Sequence, residues 1–416
     1  YAALNTTALP AATIEDGSAY FEAKTYTGNG GTNTITGLEF SPDWTWIKKR
    51  NSNSSHSIHD TVRGATKRIR SESSDAETTE TTALTAFTSD GFTLGSGGTA
   101  NGNNDSFVSW NWDAGSSTVS NTDGSVTSSV RANPSAGFSI VSYTATGSNL
   151  TVGHGLNATP AVIITKDRSA AKDWLVMHES IGVDHFLKLN LTQAKAGPYT
   201  NVFTSVSNTT FGTGNDAGIN TNGNNRIAYC FAPVAGYSAF GSYVGNGSSD
   251  GPFVYTGFKP AFLMWKLSSA SGGHWNIEDN GRSPDNPVTV TLRANTNEPD
   301  LTTSQGQIVD LLSNGFKVKN TSGQHNTSGA TYIYMAFASH PFSSNGGLAR
   351  SELGILWEDA SPTYNQKWYW GKDSDGNLIP KTYTDLKALW IAQTKQTANK
   401  LLQPSDWRVV KAKERG

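Results

Sequence analysis

Apolar residues recur along this chain in short alternating runs, and three of the runs open in the same way. Pro42-Asp43-Trp44-Thr45-Trp46-Ile47-Lys48, Pro160-Ala161-Val162-Ile163-Ile164-Thr165-Lys166 and Pro260-Ala261-Phe262-Leu263-Met264-Trp265-Lys266 each hold a Pro, an apolar strand and a Lys. An aromatic, glycine-bearing lead-in precedes each one: Tyr26-Thr27-Gly28, Tyr143-Thr144-Ala145-Thr146-Gly147 and Tyr243-Val244-Gly245. Further on come an acid (Asp60, Glu179, Glu278-Asp279) and a Gly (Gly64, Gly182, Gly281). Period-two alternation then predicts second strands around 67–70, 186–191 and 288–292. Asp90-Gly91, Asn208 and Asn314-Gly315 mark turns before the aromatic runs at Phe92, Phe211 and Phe316, since Gly and Asn tolerate positive φ.

Each stretch closes on another alternating strand: 107–112, 227–231 and 332–337. The closing strand is expected to pair with the opening one. Strands about every ten residues suit a small antiparallel sandwich or jelly roll. The fold class expected is therefore all-β, with three tandem antiparallel β-sandwich repeats and a small C-terminal hairpin-plus-helix element. Its divisions are a linker from an upstream domain at 1–20, repeats at 21–115, 137–236 and 237–342, and a Ser/Thr-rich linker at 116–136. The remaining 343–416 is read as an attachment element, with a hairpin around Trp368-Tyr369-Trp370 and Leu378-Ile379. A helix is expected from Thr384 to about Leu402. The opening at Tyr1, without Met and in loop-like sequence, is read as continuing from something upstream.

Composition narrows the functions. Of 416 residues, 16% are charged and the net charge is −2, which supplies no basic stripe for nucleic acid. No stretch reaches the length of a membrane span, so membrane insertion is not expected. Cys230 is the single cysteine; it sits in an apolar run and reads as core filler.

The best constellation of chemistry is the repeated Lys followed 12 or 13 residues later by an acid: Lys48/Asp60, Lys166/Glu179 and Lys266/Glu278. The expected reading is a structural ion pair across strand ends, worth ~0.2–1 kcal/mol when exposed. The sharper alternative is a spontaneous Lys–Asn isopeptide crosslink assisted by a buried acid. His56 and His59 have metal-ligand chemistry, but odd spacing on a strand sends them to opposite faces. Asp373-Ser374-Asp375-Gly376-Asn377 lacks the Glu that completes a calcium loop. No cofactor, metal or enzymatic activity is expected. Trp368, Trp370 and Trp275 are the residues proposed to meet a glycan or a partner, because aromatic faces stack on sugars. The Trp44/Trp46 and Trp110/Trp112 pairs each share a strand face and read as core.

Phe40-Ser41-Pro42-Asp43-Trp44-Thr45-Trp46-Ile47-Lys48-Lys49-Arg50, Asp60-Thr61-Val62-Arg63-Gly64-Ala65 and Ser89-Asp90-Gly91-Phe92-Thr93-Leu94-Gly95 resemble repeats in large virion proteins of marine tailed bacteriophages. The second stretch, from Gly137 to Tyr143 with Val152-Gly153-His154-Gly155-Leu156, is similar to a companion repeat. The third departs from the pattern, having Gly281-Arg282 where the first has Arg63-Gly64-Ala65. In that family the start of this chain resembles the exit from a SPRY-like lectin domain. The end, from Leu401 to Lys411, resembles endings of tail-fibre proteins. The resemblance implies a virion location and a tail-fibre-like role in host-surface attachment. The partners implied are further copies of the chain (a trimer by fibre analogy), other virion proteins and host surface glycan. A capsid- or tail-decorating protein and a polysaccharide depolymerase are the alternatives.

Overall fold

The computed structural model describes residues 13–14, 16–302 and 307–338, together with the backbone of 370–372 and 378–380. The first part of the chain contains β1 (Phe21–Thr27), β2 (Asn33–Ile35), β3 (Trp44–Lys49), β4 (Ser57–Asp60), β5 (Lys67–Arg68), β6 (Thr78–Thr79), β7 (Leu84–Thr88), β8 (Gly91–Leu94) and β9 (Ser106–Trp112). There follow β10 (Thr118–Asn121), β11 (Ser128–Asn133), β12 (Phe138–Thr144), β13 (Leu150–Gly153), β14 (Val162–Asp167), β15 (Leu175–His178), β16 (Leu187–Lys188), β17 (Phe203–Val206), β18 (Thr210–Thr213) and β19 (Asn225–Phe231). The third group is β20 (Ser238–Val244), β21 (Phe253–Tyr255), β22 (Pro260–Leu267), β23 (Trp275–Asp279), β24 (Val290–Arg293), β25 (Leu301–Thr302), β26 (Val309–Leu312), β27 (Gly315–Val318) and β28 (Thr331–Ala338). In a separate compact unit, β29 (Trp370–Lys372) pairs with β30 (Leu378–Pro380). The helix expected from Thr384 lies outside the described residues, as do residues 1–12.

The protein is all-β and its sheets are antiparallel. Three large sheets have the orders β1-β9-β3-β4, β10-β11-β12-β19-β14-β15-β16 and β20-β28-β22-β23-β24-β25. In each, the closing strand (β9, β19 or β28) lies between the first strand and the Pro–Lys strand. Equivalent positions can therefore be read from register: Trp44 faces Trp112, Val162 faces Phe231 and Phe262 faces Phe337. Three small sheets, β2-β8-β7, β13-β18-β17 and β21-β27-β26, cover the inner faces. Ile47, Phe92 and Phe107 fill the first interior; Ile163, Phe211 and Cys230 fill the second; Leu263, Trp265 and Phe316 fill the third.

The segment 116–136 is not a linker. Its β10 and β11 extend the second large sheet, and Val130 is buried in the second interior. Ser and Thr obscured the pattern, but Ser128, Val130 and Ala132 alternate as a strand requires, and polar β-branched residues suit a sheet margin.

The outer faces of the three large sheets are apolar too, and they bury one another. A single cluster joins Trp44, Trp46, Trp110 and Trp112 to Phe138, Trp174, Tyr229 and Phe231, and to Phe262, Trp275, Met335 and Phe337. At its centre three equivalent closing-strand residues meet. Ring centroids are 6.5 Å apart for Trp112 and Phe231, 5.7 Å for Trp112 and Phe337, and 5.6 Å for Phe231 and Phe337. Burying a large side chain contributes about 1.5–3 kcal/mol, so this shared core is a main source of cohesion between the sheets.

Candidate functional site

Repeated polar residues ring the aromatic core, and register explains their placement. Asp60 lies opposite Trp44 at one end of the β3–β4 hairpin, while Lys48 stands four residues on at the other end. At ~3.3 Å per residue that separation prevents an ion pair. Val162 faces His178 and Leu263 faces Glu278, so Lys166/Glu179 and Lys266/Glu278 are separated in the same way. The Lys/acid pairs expected from spacing do not form. Glu179 is exposed, whereas Lys48, Lys166 and Lys266 are fully buried.

Each Lys instead donates to backbone carbonyls, one of them in a different sheet group. Lys48 Nζ donates to Lys49 O at 2.8 Å and to Asn297 O at 3.3 Å. Lys166 Nζ donates to Asp167 O at 2.8 Å and Ser74 O at 3.1 Å. Lys266 Nζ donates to Gly273 O at 2.5 Å and Thr192 O at 3.3 Å. The first group thus reaches the third, the second reaches the first, and the third reaches the second. Burial lowers each ammonium to a pKa of about 8.

A second set of equivalent residues closes the same cycle. Trp174 Nε1 donates to Arg70 O at 2.8 Å and Trp275 Nε1 to Lys188 O at 2.9 Å. His56 occupies the matching position. Its Nδ1 accepts from Trp46 Nε1 at 2.8 Å, so its Nε2 carries the proton and donates to Arg293 O at 3.0 Å. Trp275 is therefore a buried contact between sheet groups and not an exposed platform. Trp368 and the side chain of Trp370 lie outside the described residues.

The acids at the far hairpin ends form a third set, directed the opposite way around. Asp60 accepts from Tyr229 at 2.7 Å and Asp279 from Trp110 Nε1 at 2.9 Å. The equivalent His178 accepts from Ser180 N through Nδ1 and donates from Nε2 to Tyr334 O at 3.0 Å. Arg63 holds Asp60 through its backbone N–H and Nε, and its Nη2 donates to Ile58 O. Arg282 repeats these bonds to Asp279 and to Ile277 O. The apparent departure at Gly281-Arg282 is thus only a shift in spelling. Gly64 has φ of +100°, while a side chain at Gly281 would lie 2.5 Å from Ala23 O, so the two glycines are needed for different reasons.

Asp279→Ala would leave Arg282 without its carboxylate in a site of zero exposure. Removing one member of a buried pair costs roughly 3–5 kcal/mol, and about 3 is expected here because Asp300 still neutralises part of the charge. Replacing both, as Asp279→Leu with Arg282→Met, is expected to restore most of that loss in urea unfolding. A double variant no better than Asp279→Ala would refute this account.

The isopeptide alternative also fails on geometry. Asn276 and Glu278 face the third interior with Trp265, whereas Lys266 alternates with it and points to the second sheet group. Glu278 is nonetheless unusual. Neither carboxyl oxygen makes a well-formed hydrogen bond, His325 Nε2 lies 3.9 Å away, and burial raises its pKa to about 8. A carboxyl raised in the folded state supports folding below the unfolded value near 4.5 and loses that contribution as pH rises to about 8. Glu278→Gln is expected to match the parent at pH ~5 and to exceed it by several kcal/mol at pH ~9. Equal urea midpoints at the higher pH would overturn the assignment.

His56 and His59 make separate hydrogen bonds, and among the described residues no three His, Cys, Asp or Glu side chains converge as a metal site. Sequence spacing held no sign of the cyclic contacts, whose partners are loop and strand carbonyls and side chains up to 249 residues away.

No curated protein and no solved structure matches the chain. A family model described as a domain of unknown function, DUF7483, matches residues 16–341, a span that includes all three sheet groups and the core they share. The chain belongs to the DUF7483 family.

Proposed function

We propose that the chain comprises three tandem β-sandwich copies closed into a ring. We further propose that it serves as a structural, tail-fibre-like component of a phage particle that contributes to host-surface attachment. The observation that carries the structural reading is the use made of the repeated polar residues. Lys48, Lys166, Lys266, Asp60 and Asp279 are all consumed in contacts between sheet groups, which leaves them no substrate to act on. The virion location rests on the resemblance of Phe40–Arg50 and the segments after it to phage virion repeats.

Other virion proteins and further copies of the chain are the proposed partners. Three cyclically related sandwiches already present in one chain the threefold arrangement that fibres build from three chains, so a partner with a threefold axis is favoured. Attachment is favoured over decoration by large side chains left in solvent: Tyr199, Phe253 and Tyr255. A virion reconstruction should place the chain on an external appendage, and antibody against it should block adsorption. Location in the capsid shell, with adsorption unchanged, would refute the attachment reading.

A further inference from the structure

A cleft of about 360 Å³ opens at the second sandwich, and one of its lining residues, Lys188, lends its backbone carbonyl to Trp275 of the shared core. Its size falls at the lower end of small-ligand sites. The loop between β16 and β17 builds one wall. Phe186 and Ala196 exchange backbone hydrogen bonds at 3.0 and 2.9 Å, and Tyr199 N donates to Asp184 O at 2.7 Å. Those bonds set the Tyr199 ring 5.7 Å from that of Phe186, inclined by 31°, with Tyr199 46% exposed. The result is an aromatic surface that is fixed in place and still wet.

Polar groups surround it. Asp173 is held by Lys188 at 2.8 Å and by Asn190 at 2.8 Å, so this wall is rigid and charge-neutral. Asp216 Oδ1 accepts from Gly218 N at 2.7 Å, which leaves Oδ2 for a ligand. The Asn201 amide, the Lys172 ammonium and the Tyr199 hydroxyl make no hydrogen bond among the described residues. Lys172 and Asp216 cancel in charge, as do Lys188 and Asp173. Such a site offers an anion or a cation no net attraction. It offers an apolar ring face together with donors and acceptors, which is what a sugar pyranose presents in return.

We propose that this cleft binds a short neutral saccharide, with Tyr199 and Phe186 against the ring face and Asn201 and Asp216 on its hydroxyls. The inference deepens the attachment reading and rests on it for the source of the sugar. Binding to the isolated chain is measured apart from adsorption, so either can fail alone.

The test is saturation-transfer NMR on the full chain with neutral hexoses, N-acetylhexosamines and their disaccharides at millimolar concentration. At least one should receive saturation. Tyr199→Ala and Asn201→Ala should each weaken that binding about tenfold or more, equivalent to ~1.4 kcal/mol. Phe253→Ala, on the third sandwich, should leave it unchanged. Two results would overturn the proposal: no saturation of any of these neutral sugars, or full binding by both cleft variants with native melting curves.

Discussion

The protein should unfold steeply in mild acid, losing its near-ultraviolet circular dichroism in one transition between about pH 6 and 4. Four of the five buried histidines among the described residues carry most of this effect, and burial lowers the fifth, His154, in the same direction. Burial lowers His56, His59 and His325 to about 3 and His178 to about 4, so all are neutral near pH 7. Two of them, His56 and His178, sit where sheet groups meet, with both ring nitrogens already committed. A folded value below the unfolded one means that the unfolded chain takes up the proton first. The stability these residues contribute is complete above about pH 6.5 and is lost as pH falls toward their folded values. Each contributes about 1.4 kcal/mol per pH unit across that window. Glu278 and Asp43, both raised by burial to about 8 and about 6, have the opposite sign and together cancel between one and two of the four, which leaves roughly 3 kcal/mol per unit near pH 5. A domain with 5–15 kcal/mol of total stability cannot survive long on such a slope. His178→Gln keeps a donor for Tyr334 O and should make the slope shallower by about a quarter of the histidine contribution. A melting temperature unchanged from pH ~7 to ~4 would contradict the whole account.

Trp112→Ala should be the most damaging single truncation, costing about 4–5 kcal/mol, at the upper end for an aromatic side chain cut to Ala. The ring of Trp112 lies 4.9 Å from Phe21, 4.5 Å from Trp44, 5.5 Å from Phe262, and 5.7 Å from Phe337, with Phe231 at 6.5 Å. Those neighbours belong to all three large sheets, so no one sheet can collapse into the cavity alone. The loss should appear as one cooperative transition moved to lower denaturant, with the slope unchanged. Trp112→Phe is the informative partner. Trp112 Nε1 is buried without an acceptor, so Phe removes an unsatisfied donor along with part of the ring. A cost below about 1.5 kcal/mol is expected for it. If the two variants were equally unstable, the hydrogen-bonding capacity of the ring, and not its volume, would be what matters.

The strands that alternate cleanly were legible in the sequence. The closing strand was expected beside the opening one, and Trp46 does face Trp110 across β3 and β9. Shared faces for Trp44/Trp46 and Trp110/Trp112 followed from period two, and all four are buried. The strands β4, β15 and β23 were harder to read. Ser57-Ile58-His59-Asp60 is buried at every position, with polar side chains on the interior face, so no apolar alternation marks it. Lys48 misled for a related reason. A Lys at the end of an apolar run suggests emergence into water, but here the chain emerges into another sheet group, and a loop from that group supplies the acceptor. Contacts between remote parts of a chain leave no local pattern. The cleft at Tyr199 was missed likewise, because a backbone-paired loop forms it and no residue spacing encodes that pairing.

The cyclic contacts also bear on how the protein is made. Synthesis delivers β3 and β9 long before Asn297, the acceptor for Lys48, exists; 249 residues separate the two partners. At about 5–20 residues per second that interval lasts roughly 10–50 s. During it, the tryptophan-bearing face of the first large sheet has at most the second group, itself finished only at Phe231, to cover it, and the last third of the shared core is incomplete. The most exposed form of this protein is thus the unfinished one on the ribosome, and its demand for chaperones falls before release, not after.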